Sequence, residues 1–173
     1  MSWLLIAPLL NTRTYLSLKY WSLSFNLPLK VICFAWLCLS NRINTWDTLW
    51  KKGWVGPNYC YLCFSRVESI DQLFSDCRFI KDIILGLSLA LHRPIYWNEP
   101  SFRHNWANWM SNEKELLYLP LLMSWNIWIT RNKYTFEDRR PVSKLVISNI
   151  LEQLQTHTMT VLSKWNRILK GLD

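Results

Sequence analysis

The sequence predicts a mainly α-helical fold: a small helical module followed by two longer helices. Three observations carry that prediction. Apolar residues recur at helical spacing in the second half of the chain, at Leu145, Ile147, Ile150, Leu151, Leu154, Val161, Leu162 and Trp165. Helix start and stop signals bracket several shorter segments. Strand signals are weak, and four glycines leave little room for long flexible loops.

In chain order, PLKVICFAWLCL (Pro28 to Leu39) is nearly all apolar and opens on a proline. A proline suits a first helical turn, where its missing N–H costs nothing. Apolar on most faces, this helix is expected at the centre of the small module. NTWDTLWKKG follows, with Thr45 as the cap, Asp47 in the first turn, Lys51 and Lys52 in the last, and Gly53 as terminator. Trp46, Leu49 and Trp50 should form its buried side. After the turn-rich GWVGPNY, Ser69 is a plausible cap for a helix through IDQLFSDC that continues through RFIKDIILGLSLALH to Pro94. RPIYWNEPS, with two prolines, marks a boundary. Beyond it, one helix is expected from about Asn112 to Phe136, bent at Pro120, and another from about Pro141 to Leu169. The domain reading is an atypical extension at 1–18, a module at 19–93, a linker at 94–110 and a helical segment at 111–173.

Half of the 173 residues are hydrophobic, enough for a core, and the twelve tryptophans read chiefly as core or interface residues. The net charge of +8 is uneven: +5 over residues 1–58, −1 over 59–101 and +4 over 102–173. The excess suits a nucleic-acid partner, RNA or DNA, and equally a basic solvated surface. Five cysteines, two of them (Cys33 and Cys38) inside an apolar run, speak against a secreted disulfide framework and for a reducing intracellular compartment, nuclear or cytoplasmic. The apolar runs at 1–10 and 116–129 are a poor signal peptide and a broken, charge-bounded segment, so a membrane span is not expected.

The chemistry-bearing stretch is CYLCFSRVESIDQLFSDC, residues 60–77, with Cys60, Cys63 and Cys77 as candidate ligands. Two thiolates three residues apart converge on one ion through a tight turn, and Zn²⁺ takes four sulfur or nitrogen donors in a tetrahedron. Spacing alone leaves a metal site and unrelated cysteines both open. A redox pair would need a thioredoxin-like β-α-β context that the sequence lacks.

A family resemblance bears on that choice. P-L-K (28–30), F-A-W-L (34–37), N-R-I-N-T-W-D-T-L (41–49), K-K-G-W (51–54), C-Y-L-C (60–63), E-S (68–69), L-F (73–74) and Cys77 together resemble the zinc-binding domain of plant LINE-type (non-LTR retroelement) reverse transcriptases. The likeness covers about Lys19 to Cys77, and WNIWITRNKYTFED (125–138) is similar to a segment that follows that domain. It implies a structural zinc ion, a role in nucleic-acid processing, and a module separate from polymerase and nuclease domains. The family pattern E-S-x-x-H-L-F puts a histidine where this chain has Gln72. A neutral amide oxygen is a hard donor that competes badly for zinc beside thiolates. Asp71, Asp76 and His92 are the substitutes the sequence offers.

No enzyme is expected. The chain has no adjacent Asp-Asp pair for two-metal polymerase chemistry, no glycine-rich phosphate loop and no G-x-S-x-G elbow. Its one adjacent acidic pair, Glu137-Asp138, reads as a helix end. His92, His104 and His157 are scattered, and no small-molecule substrate is implied. Lys51, Lys52, Arg131 and Lys133 are the nucleic-acid candidates. Arg131, Lys133, Arg139 and Arg140, interleaved with Tyr134 and Phe136, read either as contacts to phosphates and bases or, the favoured reading, as a solvated helix end. The competing function class is a structural or protein-interaction remnant built on tryptophan-rich surfaces.

Overall fold

The computed structural model describes residues 27–57, 59–113 and 115–170, with side chains described as far as His157. The expected extension at 1–18, the start of the 19–93 module, and the apolar positions Val161, Leu162 and Trp165 lie outside that description. The described residues are mainly helical, with one isolated antiparallel bridge, Tyr59 to Val67, and no strand.

Helix α1 spans Leu29–Leu39 with Pro28 at its N-cap, and buries Val31, Ile32, Cys33, Phe34, Ala35 and Cys38. It packs on α5 (Leu119–Glu137), and its Phe34 ring also lies 6.3 Å from that of Phe74; α5 packs in turn on α6 (Ser143–Lys170), and α6 on α3 (Arg78–Ala90). The fully buried leucines 119 and 121 sit on α5. Phe34 joins α1 to it, with its ring 5.4 Å from Trp125 and 5.7 Å from Trp128.

Helix α2 is the short Trp46–Lys51. Thr45 occupies the N-cap, yet its hydroxyl donates to Asp47 Oδ1 at 2.6 Å rather than capping a backbone amide. The cap comes from 22 residues away: Glu68 Oε1 accepts the Trp46 N–H at 3.2 Å, and the Glu68 carbonyl accepts that of Asp47 at 3.1 Å. Gly53 terminates the turn at φ +82°. The buried side differs from expectation. Trp50 is 71% exposed, and Trp46 and Leu49 are half-buried. Trp46 lies over Gly56, where a Cβ would stand 2.3 Å from its ring.

The single helix expected from Ser69 to Pro94 is broken. Ser69 Oγ accepts the Gln72 N–H at 3.1 Å, as an N-cap should. The chain then widens into a π-helical turn, Gln72–Asp76, closed by the Cys77 N–H on the Gln72 carbonyl at 2.7 Å. Cys77 itself is extended (ψ 134°) and serves as N-cap of α3. From this extended residue the sulfur lies 3.9 Å from that of Cys60.

Residues 102–112, placed mostly in the expected linker, form helix α4 (Phe102–Asn112). Phe102, Trp106 and Trp109 are its buried stripe, at i, i+4 and i+7. Asp71 Oδ1 accepts the Phe102 N–H at 2.7 Å, and Asn105 donates to Ser75 Oγ at 3.1 Å, so α4 is tied to the π turn. Pro120 does not bend a longer helix: it stands in the first turn of α5, where proline is tolerated. Asp138 closes α5 in the left-handed region at φ 51°. Helix α6 buries Ile150 and Leu154 as the periodicity predicts, with Ile147 and Leu151 half-buried; Val146 is buried in place of Leu145, which is 61% exposed. Gly86 brings α3 close to it, with Ile147 Cδ1 2.3 Å from where a Cβ would stand. Among the described residues no helix is long and apolar enough to cross a membrane.

Candidate metal centre

The segment Tyr59 to Val67 folds back on itself. Its Cys60 N–H donates to the Arg66 carbonyl at 2.7 Å, and the Phe64 N–H returns to the Cys60 carbonyl at 2.8 Å. Phe64 takes the left-handed conformation, φ 56°, that such a tight reversal needs. The turn directs the sulfurs of Cys60 and Cys63 to the same side, and the interrupted helix supplies Cys77. All three Sγ atoms lie within 4.8 Å of one another, with Cys60 and Cys77 3.9 Å apart. Zinc–sulfur bonds of about 2.3 Å at tetrahedral angles separate sulfurs by about 3.8 Å, so this triad fits the ion.

Cys60 and Cys77 are buried and Cys63 is half-buried. The S–H of Cys77, donated to Cys60, pulls the Cys60 thiol down to about 6 against the effect of burial. The Cys77 thiol is pushed far up by its hydrogen bond with Cys60, by burial, and by the adjacent Cys60 and Cys63 charges. The two sulfurs are thus in direct contact and compete for charge, an arrangement in which a cation bound by deprotonated thiols is favoured.

Gln72 stands beside the triad. Its Nε2 donates to Cys63 Sγ at 3.2 Å, and its Oε1 is buried without a hydrogen-bond partner. Ser65 Oγ also donates to Cys63 Sγ, at 3.2 Å. Among the described residues no histidine or carboxylate joins the cluster. Asp71 caps α4, Asp76 pairs with Arg66 and Lys81, and His92 is exposed in a left-handed turn beyond α3. The three substitutes are thus engaged or placed elsewhere. His104 is exposed, and His157 is buried with its ring 4.7 Å from that of Tyr118.

The other end of the Cys60 to Glu68 segment carries a second polar centre that sequence reasoning missed. Glu68 is fully buried and accepts two bonds from Arg131, Nε to Oε2 at 3.1 Å and Nη2 to Oε1 at 2.7 Å. The guanidinium is 3% exposed and lies over the rings of Trp128 (5.3 Å) and Tyr61 (5.9 Å). Arg131 thus faces the interior, not a phosphate backbone. Tyr134 is half-buried, 5.9 Å from Tyr61 and 5.6 Å from Phe64. Lys51, Lys52 and Lys133 are exposed, Lys51 lying 3.6 Å from Asp47 and Lys52 donating to Asn44 at 2.9 Å. A lone glutamate and a lone arginine 63 residues apart carry no spacing signal; the E-S pair was legible only within the family pattern.

A model of the family described as zinc-binding in reverse transcriptase matches residues 3–83, a little under half of the chain. The match takes in the whole cysteine triad, Gln72 and Glu68, and ends inside α3. Residues 3–83 are therefore similar to a zinc-binding domain of reverse transcriptases. No curated protein and no solved structure matches the chain.

Proposed function

We propose that Cys60, Cys63 and Cys77 hold one structural Zn²⁺ ion in a non-catalytic module that fastens the 59–67 reversal to the π turn and α3. The convergence of three sulfurs within 4.8 Å, from two separate elements, carries this reading. A bound zinc would supply a cross-link between the two elements, and the chain's own groups do the rest. Ser65 and Gln72 orient the Cys63 sulfur, and the extended Cys77 turns its sulfur inward. Metal content of the purified, reduced protein tests it. One zinc per chain, with a melting temperature that drops on chelation, is expected; no zinc and no response to added zinc overturns it.

The ordered motifs from Pro28 to Cys77 favour descent from a plant LINE-type element, and the five unbridged cysteines favour a reducing compartment. A nucleic-acid partner is a second reading, supported by the net charge of +8 and by the exposed Lys51, Lys52 and Lys133. Its affinity for single-stranded RNA or DNA falls steeply with salt, and replacing the three lysines by alanine flattens that slope. Binding that ignores both salt and the lysines points instead to a protein-interaction surface. Exposed Trp50, Trp54 and Val55 would suit one.

A further inference from the structure

Gln72 occupies the place from which a fourth ligand would reach the ion, and the geometry points to a different role. We propose that Gln72 serves the centre as a hydrogen-bond donor to the Cys63 sulfur and not as a ligand. The bound ion then keeps one coordination position for an exchangeable nitrogen or sulfur donor from outside the chain. The inference rests on the metal reading above and concerns what completes that site.

Three observations support it. The amide N–H faces the sulfur at 3.2 Å, so the nitrogen, which has no lone pair to offer a cation, is the atom presented to the triad. Three thiolates around a divalent ion carry a net charge of −1, and such a centre is stabilised by N–H and O–H donors around its sulfurs. Cys63 has two, Gln72 Nε2 and Ser65 Oγ. Turning the amide over would set an oxygen lone pair against the sulfur in exchange for a hard donor that thiolate-preferring ions use poorly. Finally, among the described residues no other histidine, cysteine or carboxylate completes the set. Cys63 is the half-buried member of the triad. The Gln72 side chain is only 7% exposed, so it stays packed beside the triad.

The test loads the reduced full chain with Co²⁺, whose visible d–d bands report its ligands, and titrates imidazole. Wild type is expected to take up imidazole with a saturable shift of those bands. Gln72→His is expected to show no shift, because its own ring fills the position. Gln72→Leu should still take up imidazole while binding cobalt about 10–100-fold more weakly, the usual cost of losing a partner to a ligand. Bands in wild type that imidazole leaves unmoved overturn the proposal. So does an imidazole response gained only in Gln72→Leu, since that identifies the amide oxygen as a ligand. Failure of wild type to bind cobalt at all removes the metal reading itself, and this inference with it.

Discussion

Two buried polar centres hold the same short segment, and they differ in whether the chain completes them. At Glu68 the carboxylate meets the Arg131 guanidinium bidentately and also accepts the Trp46 N–H. This joins the segment to α2 and α5 with groups the chain supplies itself. At the other end, three sulfurs crowd within 4.8 Å, no histidine or carboxylate joins them among the described residues, and Gln72 Oε1 is left without a partner. Buried polar groups in folded proteins are nearly always satisfied. The sulfur triad is the centre suited to an external ion, whereas the Glu68–Arg131 pair is complete within the chain. Burial alone is therefore a poor guide to function here.

Removing the sulfur centre is expected to have the largest effect. Cys77→Ser should abolish zinc binding, which in small zinc modules is worth about 10–16 kcal/mol of apparent free energy. It should also erase the difference in melting temperature with and without chelator. Zinc retained at full stoichiometry in that variant would mean that Cys77 is not a ligand.

Breaking the ion pair comes next. Glu68→Gln leaves the Arg131 guanidinium buried and unpaired and is expected to cost about 3–5 kcal/mol, read from denaturant unfolding of the zinc-loaded protein. Metal stoichiometry should be unchanged, because the two centres share a segment but no ligand. Replacing both partners, with Arg131→Met added to Glu68→Gln, should recover part of the loss. A double variant as unstable as the sum of the singles would deny the coupling.

The cysteines of α1 provide the smallest effect and a control. Burial pushes the Cys38 thiol well above its ordinary value of 9.0 and raises that of Cys33. A raised thiol contributes stability that is fully present below the unfolded value and is lost as pH rises toward the folded one. Above pH 9 the unfolded chain ionises Cys38 while the folded chain does not, so stability should fall by up to about 1.4 kcal/mol per pH unit from this group. Cys38→Ala should flatten that alkaline limb without altering zinc content. An unchanged limb would show that the thiol already ionises in the fold.

Local patterns were readable where the physics is local. Helices α1 and α6 followed from a proline start and a 3.6-residue apolar period, and the convergence of Cys60 and Cys63 followed from their spacing. The Phe102, Trp106 and Trp109 stripe of α4 carries the same helical period, but Pro94 and Pro100 just before it read as a linker. Thr45 was the natural cap by residue type. Glu68 took its place because a buried carboxylate needs every donor within reach.

By itself, then, the sequence determined the helical class, most of the apolar face of α1 and a cysteine set with the spacing of a metal centre. These depend on residues a few positions apart, whose geometry the backbone sets. Only the tertiary structure decided that the helix before α3 breaks at Cys77, that Arg131 turns inward to Glu68, and that Gln72 offers its nitrogen to Cys63. Each of these is the choice of one side chain among several possible partners. That choice is made by burial, since a polar atom removed from water must pair with whatever the packed fold brings beside it.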